Sequence, residues 1–236
     1  MKTTAIVLAA GSGKRVGGTV KKQYLDLGGH PVLFHSLQAF HESIIDEIIL
    51  VTGKDELEEN KDIYLNSDFP KIKAVVAGGK ERYHSVYAGL CAAEGSDYVF
   101  IHDSARPFVD DEIIGRCLKS VMEDGACVAA MPSKDTVKIA DEDGYVQTTP
   151  DRSKVWIIQT PQCFEYKLIY EAHKKLIEAE EKGILGNLNV TDDAMVAEHF
   201  AGARVKLVEG SYNNIKITTP EDLPLARNIL SLKKDN

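Results

Sequence analysis

The sequence predicts an α/β fold in which helices flank a mostly parallel β-sheet. Three observations support this: short apolar runs alternate with amphipathic stretches, glycine-rich or charged residues follow the apolar runs, and one hairpin-like segment interrupts the alternation. With 236 residues, 44% of them hydrophobic, the chain can bury a sizeable core, and α/β units of this size often form one domain. We therefore expect a single domain over residues 1–236.

The predicted strands are the short apolar runs, and the predicted helices are the amphipathic stretches between them. Strands are expected at 4–9, 46–52, 72–76, 97–102, 126–131, 155–160 and 204–208. Helices are expected near 31–42, 54–66, 82–94, 110–124, 164–182, 191–201 and 219–231. Thr191-Asp-Asp193 supplies an N-cap and first-turn acids to the sixth helix, and Pro220 is placed at the first position of the seventh. Pro224 would remove a hydrogen bond one turn later, so this last helix is expected to begin irregularly.

Residues 136–159 break the alternation, and we name this segment the β-arm. Val137–Ala140 and Tyr145–Thr148 are strand-like runs, and Asp141–Gly144 between them is typical of a turn. An antiparallel hairpin inserted in an α/β protein has open edges, which proteins usually cover. A second subunit is a natural cover, so the sequence favours a homodimer.

Charge and composition limit the possible partners. A net charge of −8 and a pI near 5.4 argue against binding to nucleic acid or to an acidic membrane surface, because the overall field repels polyanions. Any anionic ligand must therefore meet a local cluster of basic residues.

No segment approaches the ~20 apolar residues of a membrane span. The four cysteines form no C-x-x-C pair, so we expect reduced core thiols in a cytoplasmic protein.

The most informative motif is Ala5–Arg15, an apolar run that ends in a glycine loop and then in positive charge. A buried strand that feeds such a loop lets backbone N–H groups approach a phosphate. It is not a P-loop, because Leu8 stands at the first glycine position and Arg15 at the Ser/Thr position. It is not a dinucleotide fingerprint, because Val16 replaces the third glycine. The motif indicates another kind of nucleotide loop, and the alternative is an ordinary glycine turn followed by a solvated basic run.

Unusual residues follow four of the predicted strands. These segments are Ala9–Arg15, Gly78–Gly79, His102–Pro107 and Ser133–Thr136. In an open α/β sheet, ligands bind outside the carboxyl ends of the strands. We therefore expect the four segments to surround one site.

Asp103 is the candidate metal ligand, because it delivers a carboxylate at a strand end and Mg²⁺ takes one or two carboxylates plus phosphate oxygens and water. The alternative is that Asp103 caps the next turn and pairs with Arg106.

His102 is interpreted as hydrogen-bonded scaffold rather than as a base. Ser85 either binds a base edge or caps a helix, and Lys216 is either a ligand or a solvated strand residue.

Eight motifs follow one another between about residues 4 and 231: Leu8–Arg15, Lys22–Tyr24, Gly78–Leu90, His102–Pro107, Asp135–Lys138, Gln159–Gln162, Thr191–Asp193 and Asn214–Thr218. In their order and spacing they resemble the 2-C-methyl-D-erythritol 4-phosphate cytidylyltransferases of the non-mevalonate isoprenoid pathway. The resemblance implies a Rossmann-like nucleotidyltransferase fold, CTP and a polyol phosphate as substrates, Mg²⁺ or another divalent cation, and a homodimer formed through the β-arm.

The resemblance also implies a role for individual residues. The residues implied to bind CTP are Ala9, Ala10, Gly11, Gly79 and Ser85, and those implied to be catalytic cations are Arg15, Lys22 and Lys216. Asp103 is implied to hold the metal ion. The polyol phosphate is implied to meet Arg106, Thr136, Thr160 and, from the partner subunit, Arg152. One departure is Lys21, which replaces the proline more usual in the family and leaves open which of the two neighbouring lysines points inward.

Two other functions compete with the one that the resemblance implies. A ribitol 5-phosphate cytidylyltransferase shares the fold and CTP, but the Arg82-x-x-Ser85-Val and Asp135–Lys138 patterns favour the erythritol enzyme. A non-catalytic nucleotide-binding regulator is expected to lose Lys22 or Asp103, and both are present.

Overall fold

The computed structural model describes residues 1–11 and 21–234. The strands found there are β1 (Thr3–Ala9), β2 (Asp26–Leu27), β3 (His30–Pro31), β4 (Glu47–Thr52), β5 (Ile72–Ala77), β6 (Tyr98–Asp103), β7 (Ala126–Pro132), β8 (Ile139–Ala140), β9 (Val146–Thr148), β10 (Trp156–Glu165) and β11 (Lys206–Glu209). The helices found there are α1 (Val32–Glu42), α2 (Leu57–Leu65), α3 (Arg82–Ala92), α4 (Asp111–Asp124), α5 (Tyr166–Glu181), α6 (Asp193–Ala201) and α7 (Asp222–Lys234). Each predicted strand and helix is present, with its ends shifted by a few residues.

Seven of the described strands form the central sheet, in the order β11-β7-β10-β6-β1-β4-β5. Neighbouring strands are parallel except at β10, which runs antiparallel to both β6 and β7. The predicted mostly parallel sheet is therefore confirmed. The reversal of β10 was not predicted, because an apolar run does not encode a direction. It follows from the β-arm, which returns the chain beside β7 without the long crossover that a parallel strand requires.

The helices form a layer on each face of the sheet. Residues of β1 alternate between the two layers: Ala5 and Val7 belong to the core cluster that contains residues of α1 and α4, and Ile6 belongs to the one that contains residues of α3, α5 and α6. Gly89 of α3 lies against β1, where an added Cβ would collide with Ile6. Each fully buried large apolar side chain contributes about 1.5–3 kcal/mol, so burial of the two layers stabilises the sheet on both faces. No helix in the described part of the chain has the length and apolar character to cross a bilayer.

The cysteines are all free thiols. Cys117, Cys127 and Cys163 come from α4, β7 and β10 and are buried together, with their Sγ atoms within 4.8 Å of one another. Their wide spacing along the chain gave no sign of this cluster. Cys91 is exposed on α3.

Of the local predictions, the start of the last helix needs correction, the N-cap within residues 191–193 is confirmed, and one hairpin was missed. The last helix begins at Asp222 rather than at 219, so Pro224 falls in its first turn, where the missing N–H removes no intrahelical hydrogen bond. Asp192 is the N-cap of α6 and accepts the Met195 N–H at 3.0 Å. A small hairpin, β2–β3, was not predicted, although Gly28 and Gly29 between its strands both have positive φ, as such turns require.

The β-arm contains the predicted hairpin. Strands β8 and β9 pair antiparallel, and Gly144 in the turn between them has a φ of 85°. The arm is shorter than predicted, because residues 156–159 belong to β10 of the central sheet. Its apolar side chains Ile139, Tyr145 and Val146 are exposed.

Candidate active site

A cavity of about 520 Å³ lies at the carboxyl edge of the central sheet, between the ends of β1 and β6 and the start of α3. Its lining residues are Leu8, Ala10, Gly11, Lys22, Gln23, Gly79, Lys80, Glu81, Arg82, Ser85, Asp103, Ser104, Ala105, Lys216 and Thr218. Three of the four segments expected to surround a site contribute to it. The fourth, Ser133–Thr136, does not line the cavity.

Gln23 sets the position of the short segment Lys21–Tyr24, which we call the basic loop. This buried side chain donates from Nε2 to the carbonyl oxygens of Ala9, at 2.6 Å, and Gly11, at 3.1 Å. These bonds tie the short 3-10 turn Lys22–Tyr24 to the end of β1. Lys22 consequently lines the cavity, while Lys21 forms an ion pair with Glu56 at 2.7 Å. Arg15, the third implied catalytic cation, lies outside the described residues.

The glycine pair approaches the first turn of α3 closely. The Gly79 N–H donates to Ser85 Oγ at 3.1 Å, and a Cβ on Gly78 would lie 2.6 Å from the same oxygen. Ser85 is not the N-cap of α3, because that position is taken by Glu81, whose N–H donates to His84 Nδ1 at 3.2 Å. The Ser85 hydroxyl therefore orders the glycine loop at the cavity wall, and its contact with a nucleotide base stays a prediction.

Asp103 is held between two cations at the end of β6. Lys216 Nζ lies 2.6 Å from its Oδ2, and Arg82 Nε lies 3.4 Å from its Oδ1. Burial by itself raises the pKa of Asp103, but the charges of Arg82 and Lys216 outweigh burial and hold this pKa well below its usual range. The carboxylate is thus ionised and lines the cavity with only 13% of its side chain exposed. The alternative ion pair with Arg106 is not formed.

Behind Asp103, a hydrogen-bonded chain fixes the strand end. His102 Nε2 lies 3.1 Å from the Arg106 carbonyl oxygen, which can only accept, so this nitrogen carries the proton. His102 Nδ1 then accepts from Thr160 Oγ1 at 3.0 Å, and Thr160 accepts the Asp103 N–H at 3.1 Å. Burial lowers the pKa of His102 to about 4, which keeps the ring neutral at pH 7. The predicted hydrogen bonding of His102 is confirmed.

The remaining predicted residues lie outside the cavity lining. Arg106 donates to the carbonyl oxygens of Asn214, at 2.8 Å, and Ile158, at 3.3 Å, so it braces the segment that carries Lys216. Ala9 is a buried residue of the core and Thr160 is buried beside His102. Thr136 and Arg152 are exposed in the β-arm. Their implied contacts with substrates remain predictions.

Sequence reasoning missed Arg82 as a site residue. It lines the cavity, and its Nη2 lies 2.8 Å from Asp193 Oδ2 while Nε faces Asp103. The signal available in the sequence was an arginine in the first turn of a helix that follows a glycine pair. Lys216 sits in an irregular segment rather than in a strand. The N–H of the next residue, Ile217, donates to the Ala105 carbonyl oxygen, just after the end of β6.

The chain matches a family model described as IspD: 2-C-methyl-D-erythritol 4-phosphate cytidylyltransferase over residues 3–232. It is 49% identical to the protein of that name from Lachnospira eligens, over 94% of this chain and 96% of that one. A second relative of the same name, from Lachnoclostridium phytofermentans, is 47% identical over 99% of this chain and 98% of that one.

Solved structures give the same result. The crystal structure of 4-diphosphocytidyl-2C-methyl-D-erythritol synthase from Anaerococcus prevotii superimposes with a TM-score of 0.84 at 39% identity, covering 98% of this chain and 96% of that one. The crystal structure of 2-C-methyl-D-erythritol 4-phosphate cytidylyltransferase from Thermus thermophilus has a TM-score of 0.74 at 29% identity, covering 96% and 98%. The nucleotidyltransferase fold implied by the resemblance is confirmed.

Proposed function

The chain belongs to the 2-C-methyl-D-erythritol 4-phosphate cytidylyltransferase family, and we propose on this basis that it transfers CMP from CTP to 2-C-methyl-D-erythritol 4-phosphate. The products are 4-diphosphocytidyl-2-C-methyl-D-erythritol, an intermediate of isoprenoid biosynthesis, and pyrophosphate. The observation that carries the proposal is the convergence of Lys22, Arg82, Lys216 and Asp103 on one glycine-lined cavity. Cations and bare backbone are what a nucleoside triphosphate requires of its site.

CTP is proposed to lie along the cavity wall formed by Ala10, Gly11, Gly79 and Ser85. Ala9, the residue before Ala10, is proposed to contribute backbone groups to the same wall. Position 79 requires glycine, because a Cβ there would collide with His84. Since glycine has no side chain, a ligand can approach the backbone closely at this position. The triphosphate would then lie toward Lys22, with Arg15 as the further cation that the family resemblance implies. This arrangement places negative charge next to the cations that can neutralise it.

The transfer needs no general base. A phosphate oxygen of the polyol phosphate attacks the α-phosphorus of CTP in line, and the bond from that phosphorus to the departing pyrophosphate breaks. A phosphate monoester has a second pKa near ~6, so the attacking oxygen is already ionised at neutral pH. The neutral, buried His102 agrees with this. Catalysis is assigned to Arg15, Lys22 and Lys216, which stabilise the charge that develops on the phosphoryl group and on pyrophosphate.

Asp103 is the proposed ligand of Mg²⁺. Its ionised carboxylate opens onto the cavity, which fits a hard cation that takes its other ligands from phosphates and water. Such a cation would neutralise phosphate charge when bound. Lys216 occupies the Oδ2 side of this carboxylate, so the lysine and the metal share one anchor.

The second substrate is proposed to bind across a homodimer. The exposed apolar residues Ile139, Tyr145 and Val146 suit a β-arm covered by a second subunit. Arg152, exposed at the base of the same arm, would then reach the neighbouring cavity and bind the polyol phosphate together with Thr136, Thr160 and Arg106. The four free thiols suit a reducing compartment, and we propose the cytoplasm.

The test is pyrophosphate release from CTP and Mg²⁺ with three acceptors in parallel: 2-C-methyl-D-erythritol 4-phosphate, ribitol 5-phosphate and glucose 1-phosphate. We expect kcat/KM for the first to exceed that for ribitol 5-phosphate at least tenfold, a difference of about 1.4 kcal/mol in transition-state binding. Equal or reversed ratios would assign the chain to the ribitol substrate. No release with any acceptor would favour the nucleotide-binding regulator.

A further inference from the structure

A chain of polar side chains runs from the cavity wall into the core. Arg82 bridges two carboxylates, with Nη2 at 2.8 Å from Asp193 Oδ2 and Nε at 3.4 Å from Asp103 Oδ1. On the far side, His173 Nε2 lies 3.3 Å from Asp193 Oδ1. The side chains of Asp193 and His173 are 1% and 0% exposed, whereas Arg82, which lines the cavity, is 31% exposed.

The surrounding elements hold Asp193 in place. It is the first residue of α6, and Gln162 Oε1 of β10 accepts the N–H groups of both Asp193 and Ala194 at 2.9 Å. The backbone of Asp193 is therefore tied to the sheet, while its carboxylate points at Arg82. A carboxylate buried this deeply is strongly unfavourable unless it is paired with a cation, and Arg82 is the partner at 2.8 Å.

The two carboxylates compete for one guanidinium. Lys216 already lies 2.6 Å from Asp103 Oδ2, whereas Arg82 Nε stands 3.4 Å from Oδ1, so a closer approach of Arg82 would leave neither carboxylate oxygen open to a metal ion. A third, divalent cation would then be repelled. Asp193 draws Arg82 the other way, as the shorter of the two distances indicates.

We propose that Asp193 is a positioning residue that acts through Arg82: it holds the guanidinium back and keeps Asp103 available to a divalent cation. The inference rests on the proposed function, in which Asp103 is the metal ligand. It assigns Asp193 no contact with substrate. Its effect is on the charge that Asp103 presents to the cavity.

Divalent-ion affinity is the direct test, with Mn²⁺ as the probe in the presence of CTP and free Mn²⁺ measured by electron paramagnetic resonance. Asp193→Asn keeps the size of the side chain but releases Arg82 toward Asp103, so we expect about tenfold weaker Mn²⁺ binding, the usual effect of losing an outer-shell partner. Glu178→Gln makes the same carboxylate-to-amide change in an exposed ion pair with Lys182 and should leave the affinity unchanged. Equal affinity in Asp193→Asn and wild type would overturn the inference.

A double variant separates positioning from general structural damage. If Asp193 acts through Arg82, then Arg82→Gln and Arg82→Gln/Asp193→Asn bind Mn²⁺ equally, because the group that Asp193 restrains is gone. A further tenfold loss in the double variant would show that Asp193 acts by another route. If either single variant does not fold, the double variant is compared with wild type directly, because it leaves neither an unpaired Asp193 carboxylate nor an Arg82 charge beside Asp103. The inference then predicts Mn²⁺ binding at least as tight as in wild type, and a tenfold loss would contradict it.

Failure of the underlying function gives a different result. Asp103→Asn should abolish the Mn²⁺ site in the wild-type background. If Asp103→Asn binds Mn²⁺ as tightly as wild type, the metal site is elsewhere, and both the metal assignment and the role of Asp193 are wrong. If Asp103→Asn loses the site and Asp193→Asn retains it, only the inference about Asp193 fails.

Discussion

Replacing Lys22 by alanine should lower kcat about 10²–10³-fold, whereas replacing Lys21 by alanine should change it less than about threefold. The two lysines are adjacent in the chain, but Lys22 lines the cavity and Lys21 is paired with Glu56 at 2.7 Å. The pair of variants therefore tests position with charge held constant.

The magnitude follows from where each charge acts. A unit charge about 4 Å from a phosphate contributes about 4 kcal/mol at an effective dielectric constant of ~20, and a 10²–10³-fold loss corresponds to about 2.7–4 kcal/mol. The Lys21–Glu56 pair is partly exposed, and such pairs contribute about 0.2–1 kcal/mol to stability. Lys21→Ala should therefore be detected in unfolding experiments rather than in turnover.

The assay is steady-state pyrophosphate release at saturating CTP, accompanied by urea unfolding of both variants. Gln23 determines which lysine faces the cavity, through its bonds to Ala9 and Gly11. If Lys21→Ala is the variant with the lower kcat, this account of the basic loop is refuted. Equal losses in both variants would mean that the loop rearranges when CTP binds.

Two further predictions test the assembly and the packing. Inactive Arg152→Ala and Lys22→Ala homodimers, mixed in equal amounts and allowed to exchange subunits, should recover about a quarter of wild-type activity, because one of the two sites in each mixed dimer then combines both intact residues. No recovery after confirmed exchange would place Arg152 in the site of its own chain. Gly89→Ala should lower the free energy of unfolding by about 1–3 kcal/mol, because its Cβ would collide with Ile6. Gly115→Ala is the control on α4, where the added Cβ meets no neighbouring group within 4 Å beyond its own helix backbone. It should raise the free energy of unfolding by about 0.5–1 kcal/mol. Urea unfolding that ranks the two variants in the opposite order would contradict the packing of α3 on β1.

Local pattern accounts for most of the fold that could be predicted. The alternation of apolar runs and amphipathic stretches located every element of the two helical layers, because hydrophobic periodicity and length distinguish strands from helices. It did not reveal the reversal of β10 or the early end of the β-arm. Strand direction depends on which neighbour a strand meets in space, and β10 meets both β6 and β7.

The sequence by itself determined that residues at the strand ends converge at the carboxyl edge of the sheet, where Gly79, Ser85 and Asp103 line one cavity, because parallel strands end at the same edge. Only the tertiary structure decided between Lys21 and Lys22, through the bonds of Gln23 to the end of β1. It alone placed Arg82 between Asp103 and Asp193. These ion pairs join residues far apart in the chain, and electrostatic attraction depends on distance in space, which no local pattern of residues encodes.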